Sequence, residues 1–124
     1  MVLGLALALS AFAQKPADPP EEDTSLKEQK EYALNPVQAE KELKIGNYYA
    51  KKGSWRAAAG RFEEAVKWNP GLPDAHYRLA EMLEKLGDKA KARLAWQAFL
   101  EAAPDDKRAP DVQRRLDASK PVKK

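Results

Sequence analysis

His76 is the only histidine in the chain, and there is no cysteine. These two counts decide most of the chemistry open to the protein. A structural or catalytic metal site takes three or four His, Cys or carboxylate ligands. Around His76 the sequence offers only Asp74 and Glu81, so the histidine reads as a packing or surface residue. The adjacent carboxylates Glu63-Glu64 and Asp105-Asp106 do not form an acid–base pair. Successive residues on a helix point about 100° apart and cannot meet at one substrate atom. Ser10, Ser25, Ser54 and Ser119 have no base beside them, which leaves a nucleophilic triad without candidates. The glycines do not cluster into a loop that could cradle a phosphate. The expectation is a non-enzymatic chain with no catalytic residue, no metal and no cofactor.

The residues that remain must belong to one small domain, since the chain has 124 residues. The absence of cysteine excludes a disulfide-stapled scaffold and any thiolate site. The net charge is only +3, so no strong overall field draws nucleic acid. That balance conceals alternating segments. Residues 14–38 and 73–106 are net acidic, whereas 39–72 and 107–124 are net basic. The basic end includes Arg114, Arg115, Lys120, Lys123 and Lys124 but no aromatic side chain for stacking on bases. It reads as a solvated tail, or as a peripheral contact with anionic lipid or another acidic surface.

Residues 1–13 carry no charged side chain, and Val2–Leu9 is an apolar run. Ala11 and Ala13 are small residues placed for cleavage after Ala13, the pattern of an export signal. The run is shorter than the roughly 20 apolar residues of a membrane span. An uncleaved anchor and a buried apolar element are the alternatives. With export, the expected location is periplasmic or secreted and soluble, because there is no cysteine to carry a lipid. Residues 14–35 form a linker with Pro16, Pro19, Pro20 and the acidic run Glu21-Glu22-Asp23. Its composition is that of a disordered tether. Leu26, Tyr32 and Leu34 are its sizeable apolar residues and could dock on the domain that follows.

From Pro36 onward the pattern is helical, with helices expected at 36–52, 55–68, 73–86, 89–103 and 109–118. Asn35-Pro36 is an N-cap followed by a first-turn proline. Gly53 and Gly87 stop helices, and Ser54 and Asp88 are placed to cap the next ones. No segment alternates with period two, so no sheet is expected. A shift of 34 residues superposes Gly53 on Gly87, Ala58 on Ala92, Phe62 on Trp96 and Pro70 on Pro104. It also sets Ile45 on Leu79, Gly46 on Ala80 and Tyr49 on Leu83. Small residues at 46, 80, 58 and 92 allow the two helices of each unit to approach. Phe62 and Trp96 fill the space between units. Each unit is then a helical hairpin that needs a neighbour to cover its apolar face.

This pattern resembles the tetratricopeptide repeat family over residues 39–72 and 73–106. Gly46, Tyr49, Ala58, Phe62, Ala65 and Pro70 stand at its packing positions in the first unit. Leu79, Ala80, Leu83, Ala92, Trp96, Phe99 and Pro104 do so in the second. Glu42 and His76 replace a usual large apolar residue, and Phe99 replaces an alanine. The resemblance implies an all-α array of two repeats over 36–119, closed by a capping helix at 109–118 with a basic tail at 120–124. It further implies a groove lined by the first helices, with Glu40, Leu43, Lys44, Asn47, Ala50 and Lys51 exposed in unit one. In unit two the positions are Asp74, Tyr77, Arg78, Glu81, Glu84 and Lys85. Asn47 stands where chaperone-binding members grip a carboxylate, but Leu43 and Glu81 do not fit that grip. Tyr77 beside Arg78 is the candidate anchor, unless Tyr77 packs within the repeat.

The implied function is an adaptor that binds a protein or peptide partner in a bacterial cell envelope. The order of signal, acidic linker and Asn-Pro helix is similar to the BamD-type tetratricopeptide lipoproteins, which implies outer-membrane protein assembly. Those proteins differ in having about five repeats and a lipid-bearing cysteine. A small self-associating structural subunit and an accessory to peptidoglycan or secretion machinery are the other readings.

Overall fold

The computed structural model describes residues 32–120. The export signal, most of the linker and residues 121–124 lie outside the described residues. Five helices follow in order: α1 Pro36–Lys51, α2 Trp55–Trp68, α3 Pro73–Lys85, α4 Lys89–Ala102 and α5 Ala109–Ala118. Among the described residues there is no strand. Helix starts and stops follow from single residues. The Asn35 side chain accepts a hydrogen bond from the Gln38 backbone N–H at 3.0 Å, and Pro36 opens α1 without wasting a donor. Asp88 caps α4 in the same way through the Lys91 N–H at 3.1 Å. Ser54 stands at the N-cap of α2 but its hydroxyl makes no capping bond. Its backbone N–H instead donates to the Tyr49 carbonyl at 3.0 Å, which ties the turn back to α1. Gly53 and Gly87 take positive φ, 74° and 79°, in the two tight turns, the region where a Cβ is penalised.

The helices stack in hairpins. α1 packs on α2, α2 on α3, α3 on α4 and α4 on α5. This is an all-α helical repeat array, as the 34-residue period requires. Inside the first hairpin the two helices approach closely at Gly46. A Cβ built there would lie 2.5 Å from the Phe62 ring. The ring is fully buried and forms one core with Ala58, Ala65, Leu79, Ala80 and Leu83. Removing such a ring from water contributes about 1.5–3 kcal/mol. The core continues through Trp96, Phe99 and Met82 to Val112 and Leu116 on α5.

The three departures from the usual repeat pattern are each accommodated. Glu42 is buried, yet it accepts from Gln38 Nε2 at 3.1 Å and Arg61 Nη1 at 3.2 Å. His76 is buried with Nε2 2.6 Å from the Pro70 carbonyl oxygen, so that nitrogen carries the proton and donates. It therefore packs the exit of the first repeat against the start of the second. Phe99 is fully buried, where its 34-residue counterpart is Ala65. The added volume is filled against the edge of Tyr77, at 5.4 Å between ring centroids.

The first and second units are not equivalent on their outer faces. Ile45 is 37% exposed and Tyr48 55%, whereas their counterparts Leu79 and Met82 are 9% and 2% exposed. Helix α3 lies on α2, but among the described residues no helix precedes α1. Of the linker residues expected to dock, Tyr32 does so. Its ring meets Trp68 edge-on at 4.7 Å, and its hydroxyl donates to the Glu64 carboxylate at 3.1–3.2 Å. Leu34 does not dock and is exposed, although the neighbouring Asn35 N–H donates to the Trp68 carbonyl.

Gly46→Ala is expected to destabilise the fold by about 1–3 kcal/mol through overpacking against Phe62. A second change, Phe62→Leu in the Gly46→Ala background, is expected to recover part of that loss. Thermal melts of the three chains check this; a Gly46→Ala chain as stable as wild type would show that the two helices can separate without cost.

Candidate partner groove

Backbones of α1 and α3 approach one another, whereas those of α2 and α4 do not. The first two hairpins therefore curve toward the side of their first helices. Three arginines occupy that side and the junction with α5. Arg78 on α3 donates from Nε to Asn47 Oδ1 on α1 at 3.0 Å and from Nη1 to Glu81 Oε1 at 3.1 Å. Arg108 reaches back to Asp74 on α3 at 2.7 Å and to both oxygens of Asp106 at 3.0 Å. Arg115 on α5 donates to Glu84 on α3 at 3.2 Å and to Asp111 at 3.2 Å.

Each of these guanidinium groups also lies over an aromatic ring. Arg78 is 6.0 Å from the Phe62 centroid. Arg108 is 4.8 Å from Tyr77 and 5.1 Å from Phe99, and Arg115 is 5.1 Å from Trp96. Stacking leaves the planar edge of the group free for forked hydrogen bonds, which a lysine could not reproduce. The Trp96 indole N–H donates to Glu84 at 2.8 Å, so Glu84 is held from two helices at once. Lys85 lies 4.6 Å over the ring of Trp55, the first residue of α2.

Several residues expected in the groove take other places. Leu43 and Ala50 are only 8% and 9% exposed and belong to the core, which corrects their reading as open groove positions. Tyr77 is half-buried, with its ring against Trp96 at 4.9 Å and Arg108 above it. Much of its surface is thus spent inside the repeat. Asn47, Arg78 and Glu81 are brought together, but as one bonded set. Lys51, Asp74 and Lys85 are exposed. The place of Arg108, at the N-cap of α5, and of Arg115 within α5 was missed by reading only two units. Continuing the 34-residue step from Asp74 and Glu81 reaches both positions.

The charges on this face are strongly coupled. Asp106 titrates low, at about 2, because the Arg108 guanidinium and then the Arg108 backbone N–H donate to it. Hydrogen bonding to Asp106 likewise raises Arg108 further above its ordinary range. Asp111 is lowered by Arg114 and Arg115. Among the described residues, no three His, Asp or Glu side chains gather to hold a metal. No described helix is long and apolar enough to cross a membrane.

The family model for the tetratricopeptide repeat matches residues 43–107, slightly more than half of the chain. This chain belongs to the tetratricopeptide repeat family. Members are typically non-catalytic adaptors whose repeats bind protein partners. A curated relative is a tetratricopeptide repeat and J domain-containing co-chaperone of Cryptococcus neoformans var. grubii. It is 35% identical over 72 residues, which are 58% of this chain and 14% of that protein. This chain thus spans a small part of the relative it matches.

The depressed Asp106 carboxyl has a measurable consequence. A carboxylate lowered in the folded state adds stability above its unfolded value of 3.8 and loses it as the pH falls toward about 2. Melting temperatures of wild type and Asp106→Asn are expected to differ above about pH 4 and to converge near pH 2. A difference independent of pH would sink the assignment to Arg108.

Proposed function

We propose that this chain is a non-enzymatic tetratricopeptide adaptor whose α1–α3–α5 face holds a protein partner in a bacterial cell envelope. The observation that carries the partner face is the set of arginines, each braced on an aromatic ring and forked to an acidic or amide side chain of another turn. Such braced groups lose little freedom when a partner arrives, which favours binding. Similarity to a co-chaperone that contains these repeats supports the protein-binding part of the reading. The envelope part rests on the charge-free N-terminal run with Ala11 and Ala13, and the proposed roles there are outer-membrane protein assembly, peptidoglycan or secretion machinery.

A second reading, self-association as a small structural subunit, is favoured by one observation. Val37, Ile45 and Tyr48 leave apolar surface open on α1. Light scattering of the full chain separates the two: a strict monomer at high concentration removes the self-associating subunit.

Crosslinking of the tagged chain in its cells, followed by mass spectrometry, is expected to recover envelope proteins. Charge reversal at the exposed Lys51 and Lys85 is expected to reduce that recovery several-fold, as complementary charges govern encounter. Recovery of the protein in the cytoplasm would overturn the envelope assignment. Unchanged crosslinks after charge reversal would overturn the choice of face.

A further inference from the structure

We infer that the hollow between α4 and the C-terminal end of α5 is a subsite for an acidic side chain of a bound peptide, with Arg93 as its principal donor. The inference rests on the adaptor reading and names the chemistry of one part of the partner.

The hollow has a volume of about 400 Å³. Ala92, Trp96 and Ala118 supply its apolar lining. Three cations, Lys89, Arg93 and Arg115, border it against a single carboxylate, Glu84. That carboxylate is already committed to Arg115 and to the Trp96 N–H. Arg115 is committed to Glu84 and Asp111. The other two cations are not matched in this way. Among the described residues, Arg93 Nη1 is buried with no hydrogen-bond partner, and Lys89 makes no ion pair. A buried guanidinium nitrogen without an acceptor is unfavourable, and a carboxylate is the acceptor that its geometry fits best.

Arg93 also borders a second hollow on the far side, where Asp117 lies. Asp117 is engaged by Gln113 at 3.2 Å and by Lys120 at 3.5 Å, and it does not reach Arg93. Glu101, Gln97 and Gln113 line that second hollow too, and none of them bonds Arg93 Nη1; the assigned acceptor is a partner's carboxylate. The apolar lining and the small volume suit one aspartate or glutamate with a short aliphatic neighbour, carried on an extended segment along the groove. Glu84, Arg115, Ala118 and Ser119 continue the face already described, so one peptide could contact both regions.

The test uses the full chain labelled with nitrogen-15 and the peptide Ala-Glu-Leu-Glu-Ala, blocked at both ends so that no terminal carboxylate takes part. The Trp96 indole N–H lies at the hollow and serves as the reporter. The acidic peptide is expected to shift it in a saturable manner, and the glutamine counterpart of the peptide is not. Arg93→Gln is expected to weaken binding about tenfold, the loss of one charge-assisted pair. Lys89→Gln, at an exposed position that the fold does not need, is expected to weaken it less and decides the matter if Arg93→Gln melts early. Arg56→Gln, outside this hollow, is expected to have no effect.

Equal binding of the glutamine peptide would overturn the inference, as would unchanged affinity in both the Arg93 and Lys89 variants. A response to phosphatidylglycerol vesicles without one to the peptide would overturn it too. Failure here with Lys51- and Lys85-dependent crosslinks intact removes the subsite and leaves the adaptor. Peptide binding that depends on Arg93 without any crosslinked partner retains the subsite and removes the envelope adaptor.

Discussion

The Phe62 ring occupies the space that a side chain at residue 46 would need. That single close approach sets the distance between α1 and α2, and much else depends on it. With α1 drawn in, Phe62 can reach past its own hairpin and enter the core shared with Leu79, Ala80 and Leu83 on α3. One aromatic ring thereby joins two repeats. The second hairpin repeats the arrangement with Ala80 and Trp96, so the same spacing is carried along the array. Stability in such a chain is the sum of hairpins and their interfaces, and loosening one contact propagates to its neighbour.

The same aromatic rings serve the outer face. Phe62, Tyr77, Phe99 and Trp96 each have an arginine guanidinium packed over the ring. A cation stacked this way keeps part of its hydration while its hydrogen-bonding edge is aimed across the groove. The structural core and the candidate recognition surface are thus two sides of one layer. The arginines between α3 and α5 are also what secures the last helix. Arg108 and Arg115 span to Asp74 and Glu84, supplementing the burial of Val112 and Leu116.

Much of the architecture was legible because a repeat states its rules twice. Glycine, alanine, aromatic and proline positions recur at a constant step, and helix ends are marked by Asn35-Pro36, Gly53 and Gly87. The departures were also visible as departures, but not their resolution. Nothing local to Glu42 announces that Arg61, from another helix, would satisfy it. The fate of Ile45 and Tyr48 was hidden for a related reason. Their counterparts are buried only because α2 precedes α3.

The amino-acid sequence by itself determined the helices, their order and the hairpin period. These depend on residue type and short spacing, which act through backbone geometry and local packing. Tertiary structure alone decided that Leu43 turns into the core, that Tyr77 is half spent on Trp96 and Phe99, and that Arg93 is left with an unmatched nitrogen. Each of those outcomes depends on which side chains from other helices arrive within a few ångströms. Burial and hydrogen bonding are properties of that meeting, and no single segment contains them.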